Sequence, residues 1–201
     1  GPAVIKKLLP AQAFRKLAVL YADMQSRYAE HAQAMGLSCD GCPQNCCTSF
    51  FQHHTRIEWA YLLHGLSELP AERRAEYEER ARLYVRDATA ALTRGERPAI
   101  MCPLNDEGRC GAYAHRLMIC RLHGVPNRLR YPDGRAVDFP GCFRSQELCA
   151  AADSFPVLDR TALYTRLMEL EVQFVGPRQI RTLPRVDLTL AEMIVQGNPK
   201  L

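Results

Sequence analysis

The residues best equipped for chemistry in this sequence are its nine cysteines, in a chain of 201 residues. That density is roughly two to three times that of an ordinary soluble protein. Four of them fall between positions 39 and 47: Cys39-Asp40-Gly41-Cys42, then Pro43-Gln44-Asn45, then Cys46-Cys47. Two thiolates separated by two residues can wrap one metal ion or one face of a cluster, because the intervening turn aims both sulfurs and its amides inward. Gly41 eases that turn. The adjacent pair adds a constraint. Neighbouring side chains diverge, so Cys46 and Cys47 are expected to serve different sites. Cys102, Cys110, Cys120 and Cys142 bring the candidate ligands to eight, which divide into two four-sulfur sites and leave Cys149 as a small buried hydrophobe.

The order of these blocks carries a family resemblance. Cys39-x2-Cys42-x3-Cys46-Cys47, then Cys102-Pro103-Leu104 with Gly108-Arg109-Cys110, then Tyr113-x2-Arg116-x3-Cys120-Arg121 resembles the CxxCxxCC cysteine-cluster (YkgJ-like) family, described as a zinc- or iron-chelating domain. More distantly the pattern is similar to that of the flagellin lysine N-methylases, for which the resemblance implies an iron–sulfur cluster and methyl transfer from S-adenosylmethionine. The matching stretch runs from about Ser38 to Cys142. It departs from the family in two places: three residues stand where the family name has two, between Cys42 and Cys46, and Leu117 stands where the family usually has proline.

Spacing does not choose between iron–sulfur and zinc, since both accept four thiolates through C-x2-C turns. All-cysteine ligation, a Cys102-Pro103 step like that of bacterial cluster-binding runs, and the chemistry implied by the related methylases favour a [4Fe–4S] cluster. Zinc, alone or beside a cluster, is the alternative, and a metal-free thiol relay is the third reading. Arg116 and Arg121 flank Cys120 and are the candidate cofactor-binding residues, able to neutralise thiolates or donate to cluster sulfurs. His115 and His123 lie beside candidate ligands and suit donation to a sulfur better than direct ligation. His53-His54 reads as a polar pair leading into a helix cap. No catalytic residue can be named from the sequence, and neither G-x-G-x-x-G, a Walker loop nor the C-x3-C-x2-C of radical S-adenosylmethionine enzymes is present.

Helices are expected to position these cysteines. Phe14, Leu17, Tyr21, Met24, Tyr28, Ala32 and Met35 mark one face of an amino-terminal helix over 12–35, closed by Gly36. Thr55-Arg56-Ile57-Glu58 is a capping box opening a helix that carries Trp59, Leu62, Leu63 and Leu66. A third helix runs from about Pro70 to Arg94 on Tyr77, Ala81, Tyr84, Ala88 and Leu92, its other face crowded with Glu and Arg. From Pro98 to Cys149 the helical period disappears, and Asp133-Gly134 suggests a hairpin. Two helices follow within 159–196, the first on Leu163, Leu167, Leu170 and Phe174. The expected fold is mainly α: a single-domain helical scaffold over 1–201 around cysteine-rich irregular segments in 38–149, with a small β-hairpin, stabilised by metal.

Composition narrows the function classes. Charge of 26 basic against 22 acidic residues leaves +4, and the arginines at 178, 181 and 185 read as solvated surface, so no strong nucleic-acid signal exists. No run of apolar residues is long enough to span a bilayer. Gly1-Pro2-Ala3-Val4 reads as a protease-cleavage remnant and the following apolar run is too short for a signal peptide, so a cytoplasmic location is expected, where cysteines in bulk serve metal or redox chemistry. The resulting expectation is a metal-binding cysteine-cluster protein used for redox or group-transfer chemistry on a protein or small-molecule partner, with an iron–sulfur-dependent oxidoreductase or methyltransferase-like enzyme as its catalytic form. A non-catalytic zinc-stabilised interaction module and a thiol-redox or metal-trafficking protein are the rival readings.

Overall fold

The computed structural model describes residues 5–38 and 46–201. In chain order the helices are α1 (Pro10–Met35), α2 (Arg56–Ser67), α3 (Ala71–Thr93), α4 (Met118–Leu122), α5 (Phe143–Ala150), α6 (Thr161–Val175) and α7 (Leu190–Gln196). The strands are β1 (Asn105–Asp106), β2 (Arg109–Cys110), β3 (Asn127–Arg130), β4 (Ala136–Phe139) and β5 (Leu158–Asp159). The fold is therefore mainly helical with little β structure. The chain divides into two compact units, one of Gly1–Leu8, Cys47–Leu117 and Glu171–Leu201, the other of Leu9–Cys46 and Met118–Leu170. The cysteine-bearing stretch is shared between them, and the division falls between Cys46 and Cys47.

The first unit is built on α2, α3 and α7. Thr55 caps α2, its Oγ1 accepting the Glu58 amide at 3.3 Å and donating to the Glu58 carboxylate at 2.9 Å, which is the first half of the expected capping box. The first-turn amides of Arg56 and Ile57 donate to the Glu171 carboxylate at 2.7 and 2.8 Å, satisfying donors that every helix start leaves open. Glu171 is buried, and burial pushes its carboxyl above the usual range against the pull of those two amides. Trp59, Leu62 and Leu66 of α2 meet Tyr77, Ala81, Tyr84 and Ala88 of α3 and Leu190, Met193 and Ile194 of α7 in one core. Trp59 adds a bond from its Nε1 to the Met193 carbonyl at 3.1 Å. Each fully buried aliphatic side chain contributes about 1.5–3 kcal/mol. The stripe on α3 ends on Ala91 instead of Leu92, which is 53% exposed: residue 91 lies closer to the line through Tyr84 and Ala88, and the larger side chain is left in solvent.

The second unit packs α1 with α4 and a three-stranded sheet in the order β4-β3-β5. Pro10 opens α1 within its first turn and Gly36 closes it at φ 70°, the left-handed cap that glycine adopts without strain. Its buried face is Ala13, Leu17, Leu20, Tyr21 and Met24. The Asp133-Gly134 hairpin forms, β3 and β4 pairing antiparallel from Asn127–Phe139 to Arg130–Ala136 with Gly134 at φ 90°. Two features differ from the irregular stretch expected over 98–149. Short helices α4 and α5 form there, and β5 joins β3 in parallel, Asn127 opposite Leu158.

Candidate metal centre

Three of the candidate ligands come together in the first unit through backbone bonds. The Cys102 amide donates to the Cys47 carbonyl at 2.9 Å, and the Cys102 carbonyl accepts the Asn105 amide at 3.0 Å. The β1–β2 hairpin then returns the chain so that Cys110 pairs with Asn105 and the Gly111 amide reaches the Leu104 carbonyl at 2.7 Å. Cysteines separated by 55 and 8 positions in sequence thus share one neighbourhood. Cys102 and Cys110 pack against the core of this unit. Burial pushes the Cys102 thiol up to about 12, with the nearby Cys110 and Cys47 raising it further and a backbone bond at Leu104 opposing them.

A clamp that sequence reading missed holds this hairpin. Asp106, at its tip, accepts hydrogen bonds from the Tyr77 hydroxyl, from Arg73 at 2.6 Å and from Arg80 at 2.7 Å. Burial opposes the charge of Asp106, but the bonds from Tyr77 and Arg80 and the two guanidiniums hold its carboxyl below the usual range. Arg80 also reaches the Pro103 and Asn105 carbonyls at 3.4 and 3.3 Å, so α3 grips both sides of the cysteine-bearing turn. Arg73, Tyr77 and Arg80 stand at intervals of four and three, one helical face. That spacing was the available signal, hidden because an arginine-rich helix face reads as solvated surface. Gly111 fits the same design: a Cβ there would lie 2.0 Å from the Tyr77 hydroxyl oxygen.

Cys120, Cys142 and Cys149 belong to the second unit. Cys120 lies on α4, and the Gly124 carbonyl just beyond that helix accepts the Cys142 amide at 3.1 Å. Cys142 opens α5, with its Sγ 3.6 Å from the Ser145 Oγ, which itself donates to the Gly124 carbonyl. Gly141, at φ 85°, lets these strands of backbone meet, since a Cβ there would come within 2.9 Å of the Gly124 carbonyl oxygen. Burial lowers the His123 imidazole below its ordinary range. Cys39 and Cys42 lie outside the described residues, and of Cys46 only the backbone is described.

The two candidate cofactor-binding arginines belong to different units. Arg116 sits in the first unit with its guanidinium carbon 3.8 Å from the centroid of the Tyr113 ring, whereas Arg121 is buried in the second unit, 4.1 Å from the Tyr21 ring. His115 stacks on Tyr61 at 4.4 Å. His53 is buried and its imidazole is lowered to about 3, by burial first and by His54 second. Its backbone bridges to Leu188 in both directions, at 2.7 and 3.1 Å, immediately before the Thr55 cap.

Thiols are the candidate donors in both units, and such donors would suit a thiophilic metal. Among the described residues no group of three His, Cys, Asp or Glu side chains is closed to ion-holding distance. No disulfide joins the six described cysteines. No described helix is long and apolar enough to cross a membrane. Comparison with protein-family models, with curated proteins and with solved structures finds no match.

Proposed function

We propose that this chain is a metal-binding cysteine-cluster protein whose thiolates hold an iron–sulfur cluster, and that it serves redox or group-transfer chemistry. The observation that supports the reading is the convergence of Cys47, Cys102 and Cys110, drawn from separate stretches and fixed by backbone bonds and the Asp106 clamp. Burial leaves the Cys102 thiol reluctant to ionise, and the gathering of three thiols gives no packing benefit that alanine or valine would not supply more simply. A cation reverses the cost by stabilising the thiolates.

Cys47, Cys102 and Cys110 would hold one centre. Cys120 and Cys142 would serve a second, in keeping with the expectation that Cys46 and Cys47 part company. When bound, an iron–sulfur cluster supplies electron transfer or polarises a substrate group. The chain's own residues then orient and shield it: Tyr77, Arg73 and Arg80 fix the hairpin through Asp106, and the α2–α3–α7 core keeps water from the Cys102 side. The kinship to the CxxCxxCC family, and with it any use of S-adenosylmethionine, rests on the motif blocks alone.

A structural zinc reading is favoured by one observation, the packing of Cys102 and Cys110 against the core, which suits a closed four-thiolate site with no open position. Metal and acid-labile sulfide measured on anaerobically purified protein separate the two. Iron with sulfide and visible sulfide-to-iron absorption is the expected result. Stoichiometric zinc in colourless protein that unfolds on chelation makes the chain a zinc-stabilised interaction module instead.

A further inference from the structure

The inner face of the second unit's sheet carries an arginine whose charge no acidic group meets among the described residues. Side chains alternate along a strand, so Asn127 and Leu129 of β3 share a face with Phe139 and Leu158, which the register sets on either side of Asn127. Arg160 lies two residues beyond Leu158 and continues that face, its amide donating to the Arg128 carbonyl at 2.9 Å. It is only 8% exposed, and its guanidinium carbon stands 4.2 Å from the centroid of the Phe139 ring. Neighbouring acids are engaged elsewhere. Asp138 pairs with Arg128 at 2.5 Å, and Asp159 accepts the Thr161 amide at 3.0 Å and faces Arg130 at 3.6 Å. Among the described residues the Arg160 Nε is buried with no hydrogen-bond partner.

We propose that Arg160 anchors a binding site for a small oxyanion, a carboxylate or phosphate group, on this face of the sheet. An aromatic ring attracts a guanidinium but offers no lone pairs to its forked N–H edge, and a buried cation without an acceptor is costly to maintain. Two oxygens of a carboxylate or phosphate match that fork. Tyr131 and Tyr164 stand close enough to act on the Arg160 charge, and Tyr131, 37% exposed, marks the side open to solvent.

Thermal unfolding of the whole protein is followed while sodium phosphate or sodium acetate replaces sodium chloride at constant ionic strength, for the unaltered chain, Arg160→Met and Arg128→Met. A saturable rise in Tm with one of the two anions is expected, its apparent Kd at least tenfold weaker in Arg160→Met and unchanged within twofold in Arg128→Met, whose guanidinium lies on the opposite face. A response to phosphate alone or to acetate alone identifies the group. No response above chloride, or an unchanged Kd in Arg160→Met, overturns the proposal. Should Arg160→Met fail to fold, the Nε–H resonance of Arg160 in the unaltered protein is followed through the same titration: a saturable shift supports the site and a fixed resonance overturns it.

Discussion

Replacing Gly111 with alanine drives a methyl group into the Tyr77 hydroxyl. The new Cβ would lie 2.0 Å from the hydroxyl oxygen and 2.6 Å from Cζ, where an ordinary contact begins at 3.4 Å. The hydroxyl must retreat by about 1.4 Å, which breaks its bond to Asp106, and Tyr77 is 1% exposed, so its ring has little room to go. Losing a hydrogen bond to a charged group costs about 1.5–3 kcal/mol and overpacking a further 1–3 kcal/mol or so, giving a destabilisation of about 3–5 kcal/mol. Urea unfolding of Gly111→Ala, Tyr77→Phe and the double variant measures it. Tyr77→Phe alone loses only the bond. If the clash acts through the hydroxyl, the double variant costs less than the sum of the singles by at least the bond that the sum counts twice, about 1.5–3 kcal/mol, with the remainder coming from the Cζ contact. The same variants should bind less metal, because Gly111 adjoins Cys110. Strict additivity, or a Gly111→Ala protein within about 0.5 kcal/mol of the original, would refute the clamp.

Three further outcomes follow from the same geometry. His53 has a folded pKa lowered to about 3 from 6.5, so its contribution is complete above pH 6.5 and is lost as pH falls from 6.5 toward 3; at pH 5 the loss is about 2 kcal/mol, and urea unfolding of His53→Leu should show a flatter dependence between pH 7 and 5. Cys102, pushed up to about 12, is about one part in ten thousand thiolate at pH 8 against about one in ten for an ordinary thiol, so iodoacetamide should label it roughly a thousandfold more slowly in folded metal-free protein than in urea; equal rates would contradict its burial. Gly141→Ala forces a left-handed alanine at φ 85° onto the Gly124 carbonyl and should cost about 2 kcal/mol or more by thermal unfolding, whereas Gly134→Ala, at φ 90° in open space, should cost only the conformational part, about 1 kcal/mol.

How far the sequence carried depended on the range of each signal. The long helices were legible because α1 and α3 repeat their apolar positions over many turns and end at Gly36 and Gly95, both left-handed in the structure. Thr55 and the Asp133-Gly134 turn were legible because a cap and a tight turn are decided by adjacent residues. Helices α4 and α5 were not: five and eight residues give too few turns for a period, and α5 starts at Cys142, which lacks a capping side-chain bond. The parallel β3–β5 pairing joins residues about thirty apart and has no local signature. For the candidate centre, cysteine spacing named candidate ligands but not their grouping. Asp106 and its arginines escaped notice because ion pairs between distant elements look, in sequence, like any charged surface.

The most direct test of the account is the metal and acid-labile sulfide content of anaerobically purified protein, measured beside Cys102→Ser and Cys110→Ser. Iron and sulfide together are expected in the unaltered protein, with a marked loss of both in each variant. Protein that carries neither iron nor sulfide, or variants that retain the full complement, would contradict it.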